Sequence, residues 1–393
     1  MKYITKRLKI HFLLAISAML IILSSCNKDL EQFAAPAVVA PTGLALGETI
    51  ATIADDSLYY RLIVKAGMLT AINNKATTFT MFVPNNAAMR QFLVAIGAPP
   101  GQPDAVYSGF ITAFVPATTA ASIVSFNMMP QKITTASIPN TFPNWFYPTH
   151  LNPTSGAGFN PLVRLLTFPS TRNGNWVNNI PLVSVNLAAA NGVIHTAAAM
   201  PAPPQRVLYQ RIASDPDLTI FNAAISRADS GVAPTTSASL IWVLSNFGPN
   251  LTVFAPSNLA FKQLISALTG GAIPVGAPDA IFIGFLSTNN VSTQTVKGLV
   301  VYHMLGSRAF TNNFPTTATS YRTLLNSAVP THPGVSLICT FTGPFVSAAT
   351  VKGIANATAS NIAINPTPDP NGTSDQFYVN GTIQKIDQVL RPQ

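Results

Sequence analysis

The sequence predicts an α+β protein built from two tandem copies of one domain. Three observations carry this. Three sequence blocks occur twice in the same order. Each set opens on a strand that breaks into a helix. The composition is rich in apolar and aromatic residues and poor in charge. Of 393 residues, 48% are hydrophobic and only 9% are charged, against roughly a quarter charged in an average soluble domain. Asn, Thr, Ser and Pro supply the polarity instead, which suggests short strands, many turns and an uncharged polar surface. With 23 Phe, 9 Tyr and 3 Trp and little charge repulsion, the chain is expected to fold. Its length suffices for two or three domains.

The first 25 residues have the layout of a secretory leader. Lys2, Lys6, Arg7 and Lys9 form a positive start, and Phe12–Leu23 is an uncharged apolar run. That run is shorter than the roughly 17–25 residues a membrane span needs. Leu23-Ser24-Ser25-Cys26 follows and resembles a bacterial lipobox, in which the Cys thiol is acylated and becomes the first residue after cleavage. Cys26 is therefore the candidate lipidation site; an ordinary signal peptide with an incidental Cys is the alternative. No Asp directly follows Cys26, while Asp29 and Glu31 lie just beyond it, a layout similar to that of surface-exported lipoproteins. The expected location is the cell envelope, as an outer-membrane lipoprotein exposed at the surface, with the membrane met through the lipid. Residues 26–44 read as a tether, 45–204 as the first domain and 205–393 as the second.

Cys339, the other of two Cys, then has no intrachain partner and reads as a small buried hydrophobe. The formal charge of +9 includes the four leader cations; without them 18 basic residues face 13 acidic ones. No basic run remains, which argues against nucleic acid as a partner.

The repeat is the strongest signal. Phe79–Phe92 (FTMFVPNNAAMRQF) aligns without gaps on Leu251–Leu264 (LTVFAPSNLAFKQL), with six of 14 positions identical. Pro103–Phe110 pairs with Pro278–Phe285, and Asn191-Gly192-Val193-Ile194 with Asn380-Gly381-Thr382-Ile383. The separations are 172, 175 and 189 residues, and the order is kept. Leu251–Ala255 alternates β-formers and predicts a strand. Pro256 breaks it, and Ser257 or Asn258 can cap the helix that follows; Val83–Asn86 does the same in the first copy. Leu58, Tyr59, Leu62, Ile63 and Ala66 form a helical stripe, with Phe221, Ala224, Ile225 and Ala228 as its counterpart. Phe377–Ile386 reads as two short strands turning at Asn380-Gly381, a pair tolerant of positive φ.

These blocks resemble the fasciclin-like domain. The second copy carries the resemblance closely, in Thr252–Phe261 (TVFAPSNLAF), Tyr302-His303 and Asn380–Pro392 (NGTIQKIDQVLRP). The first departs from it: Phe126-Asn127 stands at the Tyr-His position and Ala198 where the second copy has Asp387. The resemblance implies two tandem fasciclin-like domains, each a β-wedge with several helices, serving adhesion or extracellular recognition of protein or polysaccharide. An accessory glycan-binding lipoprotein of a polysaccharide-uptake system is the alternative.

Signs of catalysis are few. Both Glu, Glu31 and Glu48, lie near the tether, and the chain has no nucleophile-elbow, zinc-helix or phosphate-loop motif. No catalytic residue, metal site or cofactor is assigned, and an enzyme is not expected. Asp369–Asp375 superficially resembles a calcium loop but lacks the closing Glu, so a turn is expected. Tyr302 and His303 sit in an apolar run. The family links this position to receptor binding, while the residues themselves favour a hydrogen-bonded structural role. The long Pro/Asn-rich segment 138–181 carries Trp145, Phe146, Tyr147 and Trp176. These four rings are candidates for stacking on sugars, Trp145 and Trp176 foremost; packing of the segment onto its own domain is the favoured alternative.

Overall fold

The repeated strands are central in their sheets. Phe79–Pro84 and Leu251–Pro256 are buried at every position, the pattern of a strand covered on both faces. Phe79–Pro84 runs parallel to Gly192–Ala197 and antiparallel to Met128–Met129. Leu251–Pro256 repeats this with Gly381–Ile386 and Met304–Leu305. The protein is seen here in a computed structural model that describes residues 41–153, 163–288, 291–365 and 371–393. The leader, Cys26, most of the tether, residues 154–162 and Asp369 lie outside the described residues.

Alternation along each central strand sorts side chains between two cores. Leu251, Val253 and Ala255 join the helices in one cluster, whereas Phe254 joins another with Val335, Leu337 and Val351. In the first copy Phe79, Met81 and Val83 face the helices, and Phe82 faces Val177 and Ile180. The local signals behave as the residues dictate. Asn85 and Ser257 accept the Ala88 and Ala260 N–H at 2.9 and 3.2 Å, capping helices Asn86–Ala95 and Asn258–Leu268. The Pro-Asp blocks open helices Asp104–Phe114 and Asp279–Ser287. The apolar stripes lie on the buried faces of Ser57–Lys65 and Thr219–Ala228. The first sheet has six strands, the second eight.

Two asparagines per copy hold this frame. Asn86 Oδ1 accepts the Leu58 N–H (3.0 Å), and its Nδ2 donates to Ala54 O, Ser57 Oγ and Asp104 Oδ2. Asn258 repeats the set with the Ile220 N–H, Pro216 O, Thr219 Oγ1 and Asp279 Oδ2. Asn191 accepts the Leu46 N–H (2.8 Å) and donates to Ile72 O (2.7 Å). Asn380 accepts the Leu208 N–H (2.9 Å) and donates to Leu244 O (2.9 Å).

The Asn380-Gly381 expectation needs correction on one point. Strands Gln376–Tyr378 and Gly381–Ile386 do pair around it, but neither residue takes a positive φ. Space demands the glycine. A Cβ on Gly381 would lie 2.5 Å from Leu251 O, and one on Gly192 would lie 2.0 Å from Phe79 O.

The same frame exposes a mismatch. By the matched asparagine clamps, Asp56 occupies the position of Leu218. Both are buried, but Asp56 is a carboxyl whose Oδ2 has no hydrogen-bond partner.

The segment 138–181 does more than pack onto its own copy: it clasps the second. Phe142 stands 4.3 Å from the Tyr321 ring and joins the second copy's sheet core. Ser170 Oγ donates to Asn313 Oδ1 (2.7 Å), and Asn173 Nδ2 donates to the Asn312 and Phe314 carbonyls. Asn313 Nδ2 returns a bond to Thr141 O (2.9 Å). At the centre, the buried Arg308 guanidinium lies between Phe168 (4.5 Å) and Phe377 (4.9 Å) and donates to Val379 O. Phe142 apart, the core clusters draw on one copy each, yet Thr42–Gln393 hold together as one unit.

Phe168→Ala removes the ring shared by the two copies and is expected to cost roughly 3–5 kcal/mol. Scanning calorimetry should show one transition for the parent protein and two for the variant. A single transition at the parent temperature would contradict the clasp.

Candidate functional site

The clasp leaves a cleft of about 980 Å³ at the seam. Helix Asn86–Ala95 contributes Phe92, the connector contributes Met200 and Arg206, and the second copy contributes Phe377. Its charges are largely spoken for. Arg90 forks onto Asp104 (2.6 and 3.0 Å), and Arg206 donates to Asn371 Oδ1 (2.6 Å). Asp375 is the one carboxylate on the lining. It is buried, accepts the Thr311 N–H and Oγ1–H and a bond from Gln384 Nε2, and burial raises its pKa above the ordinary carboxylate value. The cleft thus suits an apolar group bordered by amides. Among the described residues, no three of His, Cys, Asp or Glu converge as a metal would require.

The sequence-predicted residues scatter. Tyr302 and His303 are fully buried. Tyr302 Oη donates to Gly334 O (2.7 Å) and accepts the Ile354 N–H (3.0 Å). His303 Nε2 accepts the Leu390 N–H (2.8 Å), so the proton sits on Nδ1 and is donated to Leu299 O (2.8 Å). Asn127, its counterpart, donates in the same way to Ile123 O. A direct contact would require both Tyr302 and His303 to leave the core. Trp176 is also unavailable for stacking: it is 3% exposed, against Phe341 of the second copy. The pairing of Trp145 with Trp176 is therefore corrected, because the clasp needs the Trp176 ring inside the seam. Trp145 remains 53% exposed, and Phe146 is 45% exposed beside it. Their rings are parallel within 12°, with centroids 5.8 Å apart.

Cys339 is free and buried, donates to Phe314 O, and burial pushes its thiol up to about 12. It behaves as a packed hydrophobe.

With this geometry established, comparison with known proteins is direct. The fasciclin domain pattern matches residues 55–199 and 227–392. The chain belongs to the fasciclin domain family and carries two such domains in tandem. Fasciclin domains are a type of adhesion-related domain. Among solved structures, the chain is similar to a fasciclin domain pair from the insect cell adhesion molecule fasciclin I. That pair is 14% identical, with 85% of this chain and 95% of the other covered, at a TM-score of 0.34. No curated protein matches the chain.

Two titrations follow from the buried groups. Burial lowers the His303 pKa from 6.5 to about 4. Above pH 6.5 both folded and unfolded states are neutral and stability is complete. As pH falls from 6.5 toward 4, only the unfolded state takes the proton, and stability is lost, by about 2 kcal/mol between pH 7 and pH 5. Urea titrations at the two pH values should show this, and His303→Gln should flatten the difference. Asp56 acts in the opposite sense. Burial, then Asp55, raises its pKa from 3.8 to about 7. Between those values the folded state holds a proton that the unfolded state has released, so this site destabilises as pH rises. Asp56→Leu is expected to add roughly 2–4 kcal/mol at pH 8 and far less at pH 4; an equal effect at both would refute the assignment.

Proposed function

We propose that this protein is a lipid-anchored envelope protein whose two fasciclin domains act in adhesion or extracellular recognition of protein or polysaccharide. The observation that carries this reading is the tandem pair of adhesion-type domains, 55–199 and 227–392. The clasp supports it, since surfaces held on one unit present themselves to a partner without losing interdomain freedom on binding. The leader and Leu23-Ser24-Ser25-Cys26 support the anchor. The two acyl chains of a diacylated Cys26 would suffice to hold it, because stable anchoring takes more than one acyl chain.

A second reading, an accessory glycan-binding lipoprotein of a polysaccharide-uptake system, is favoured by the exposed parallel pair Trp145 and Phe146. The two readings share a location and differ in what binding serves, adhesion or recognition in the first and glycan uptake in the second.

Cys26→Ala is expected to abolish incorporation of labelled palmitate and to move the protein from the detergent phase to the aqueous phase on Triton X-114 partition. Retention of label by the variant would sink the anchor. Surface placement is checked by protease accessibility on intact cells, where the parent protein should be cleaved.

A further inference from the structure

We infer that Trp145 and Phe146 form a docking platform for the apolar face of a neutral sugar ring, giving the recognition role proposed above a polysaccharide subsite. Three observations carry it. The first is rigidity. Asn144, directly before the pair, donates its N–H to Arg308 O (3.1 Å) and accepts the Phe310 N–H on Oδ1 (3.2 Å). Phe142 is seated in the second copy's core. Tyr147, directly after the pair, is paired with Thr167. The two rings stay in the open while the residues on either side are tied down, so binding would order nothing further.

The second is shape and size. The planes agree within 12° at a centroid spacing of 5.8 Å, a stacked pair whose open outer ring face matches the C–H face of a pyranose. A Trp and a Phe present about 150–250 Å² each, and here about half of that is open, on the order of 200 Å² together. A stable protein interface needs about 800 Å² per partner. The pair is the right size for one or two sugar rings and too small for a protein.

The third is charge. From Ile138 to Pro153 there is no Asp, Glu, Lys or Arg. The polar side chains of that stretch are those of Asn, Thr, Tyr and His150, neutral hydrogen-bonding groups suited to sugar hydroxyls.

The test uses the mature full-length protein. In a Trp176→Phe/Trp242→Phe background Trp145 is the only tryptophan, and its emission reports on the platform directly. Laminarin, mannan, xylan, dextran and cellohexaose are titrated against it, with calorimetry in parallel. At least one should shift the emission and bind. Trp145→Ala should weaken that binding about tenfold or more, a loss of about 1.4 kcal/mol. Trp145→Ala/Phe146→Ala should abolish it, and Leu268→Ala, remote and exposed, should leave it unchanged. Absence of binding to all five, or equal binding by the double variant, overturns the platform. If no polysaccharide binds but the double variant loses capture of an envelope protein, the platform inference fails while the recognition role stands.

Discussion

Each copy depends on one closure: the parallel pairing of its first strand with its last. Parallel neighbours cannot be joined by a tight turn, so nearly the whole domain must be threaded between them. That places the cost of closing a long loop on a few contacts. The chain meets it with Asn191-Gly192 and Asn380-Gly381. The glycine lets the strand approach the Phe79 or Leu251 carbonyl at a distance no Cβ would allow. The asparagine beside it ties the opening helix and a distant carbonyl to the same point. Each bond is worth about 1 kcal/mol, yet an orphaned buried partner would cost about 1–3 kcal/mol, so the cluster is hard to change piecemeal.

The seam follows a different logic. Nothing in the duplicated frame requires the copies to touch, and their cores remain largely separate. Contact is added by the long segment of the first copy. Its centre is a buried guanidinium between two rings, with burial lowering the Arg308 pKa to about 9. A cation withdrawn from water needs compensation, and here ring faces and the Val379 carbonyl provide it. Phe377 and Val379 belong to the same copy as Arg308 and Phe168 to the other, so the compensation is complete only when the two are joined. The same geometry forms the cleft, whose walls belong to both copies.

What could be read in the sequence divides along this line. The frame was legible because it occurs twice. Strand, proline break, cap and closing Asn-Gly each repeat in order, and each has a local physical cause. The part played by Asn380-Gly381 was misassigned, since Asn-Gly also marks a tight turn and only coordinates reveal that the demand is for space. The clasp was not legible, because it occurs once and its contacts join residues more than a hundred positions apart, such as Ser170 with Asn313. Trp176 and Trp145 looked alike for the same reason. Asp56 left a faint trace: it is the acidic member of a pair whose other member, Leu218, is apolar, but the blocks do not extend to it.

Tyr302-His303 shows why a family signature need not be a contact surface. His303 accepts the Phe254 N–H on its carbonyl, donates from Nδ1 to Leu299 O and accepts the Leu390 N–H on Nε2, all at once. A residue that satisfies three backbone groups in a dry core is constrained by folding alone, and Asn127 meets part of that demand in the first copy. The segment 138–181 presents the contrary case. Half-buried Phe142 and buried Phe168 and Trp176 already secure it to the second copy. Phe146 still leans on the Phe168 ring, with centroids 6.5 Å apart, but large rings left half in water gain little from hydrophobic burial. Packing accounts for the first group and for only part of the second. What distinguishes the exposed pair is a fixed backbone, parallel planes and an uncharged surround, which together describe a surface shaped for something outside the chain.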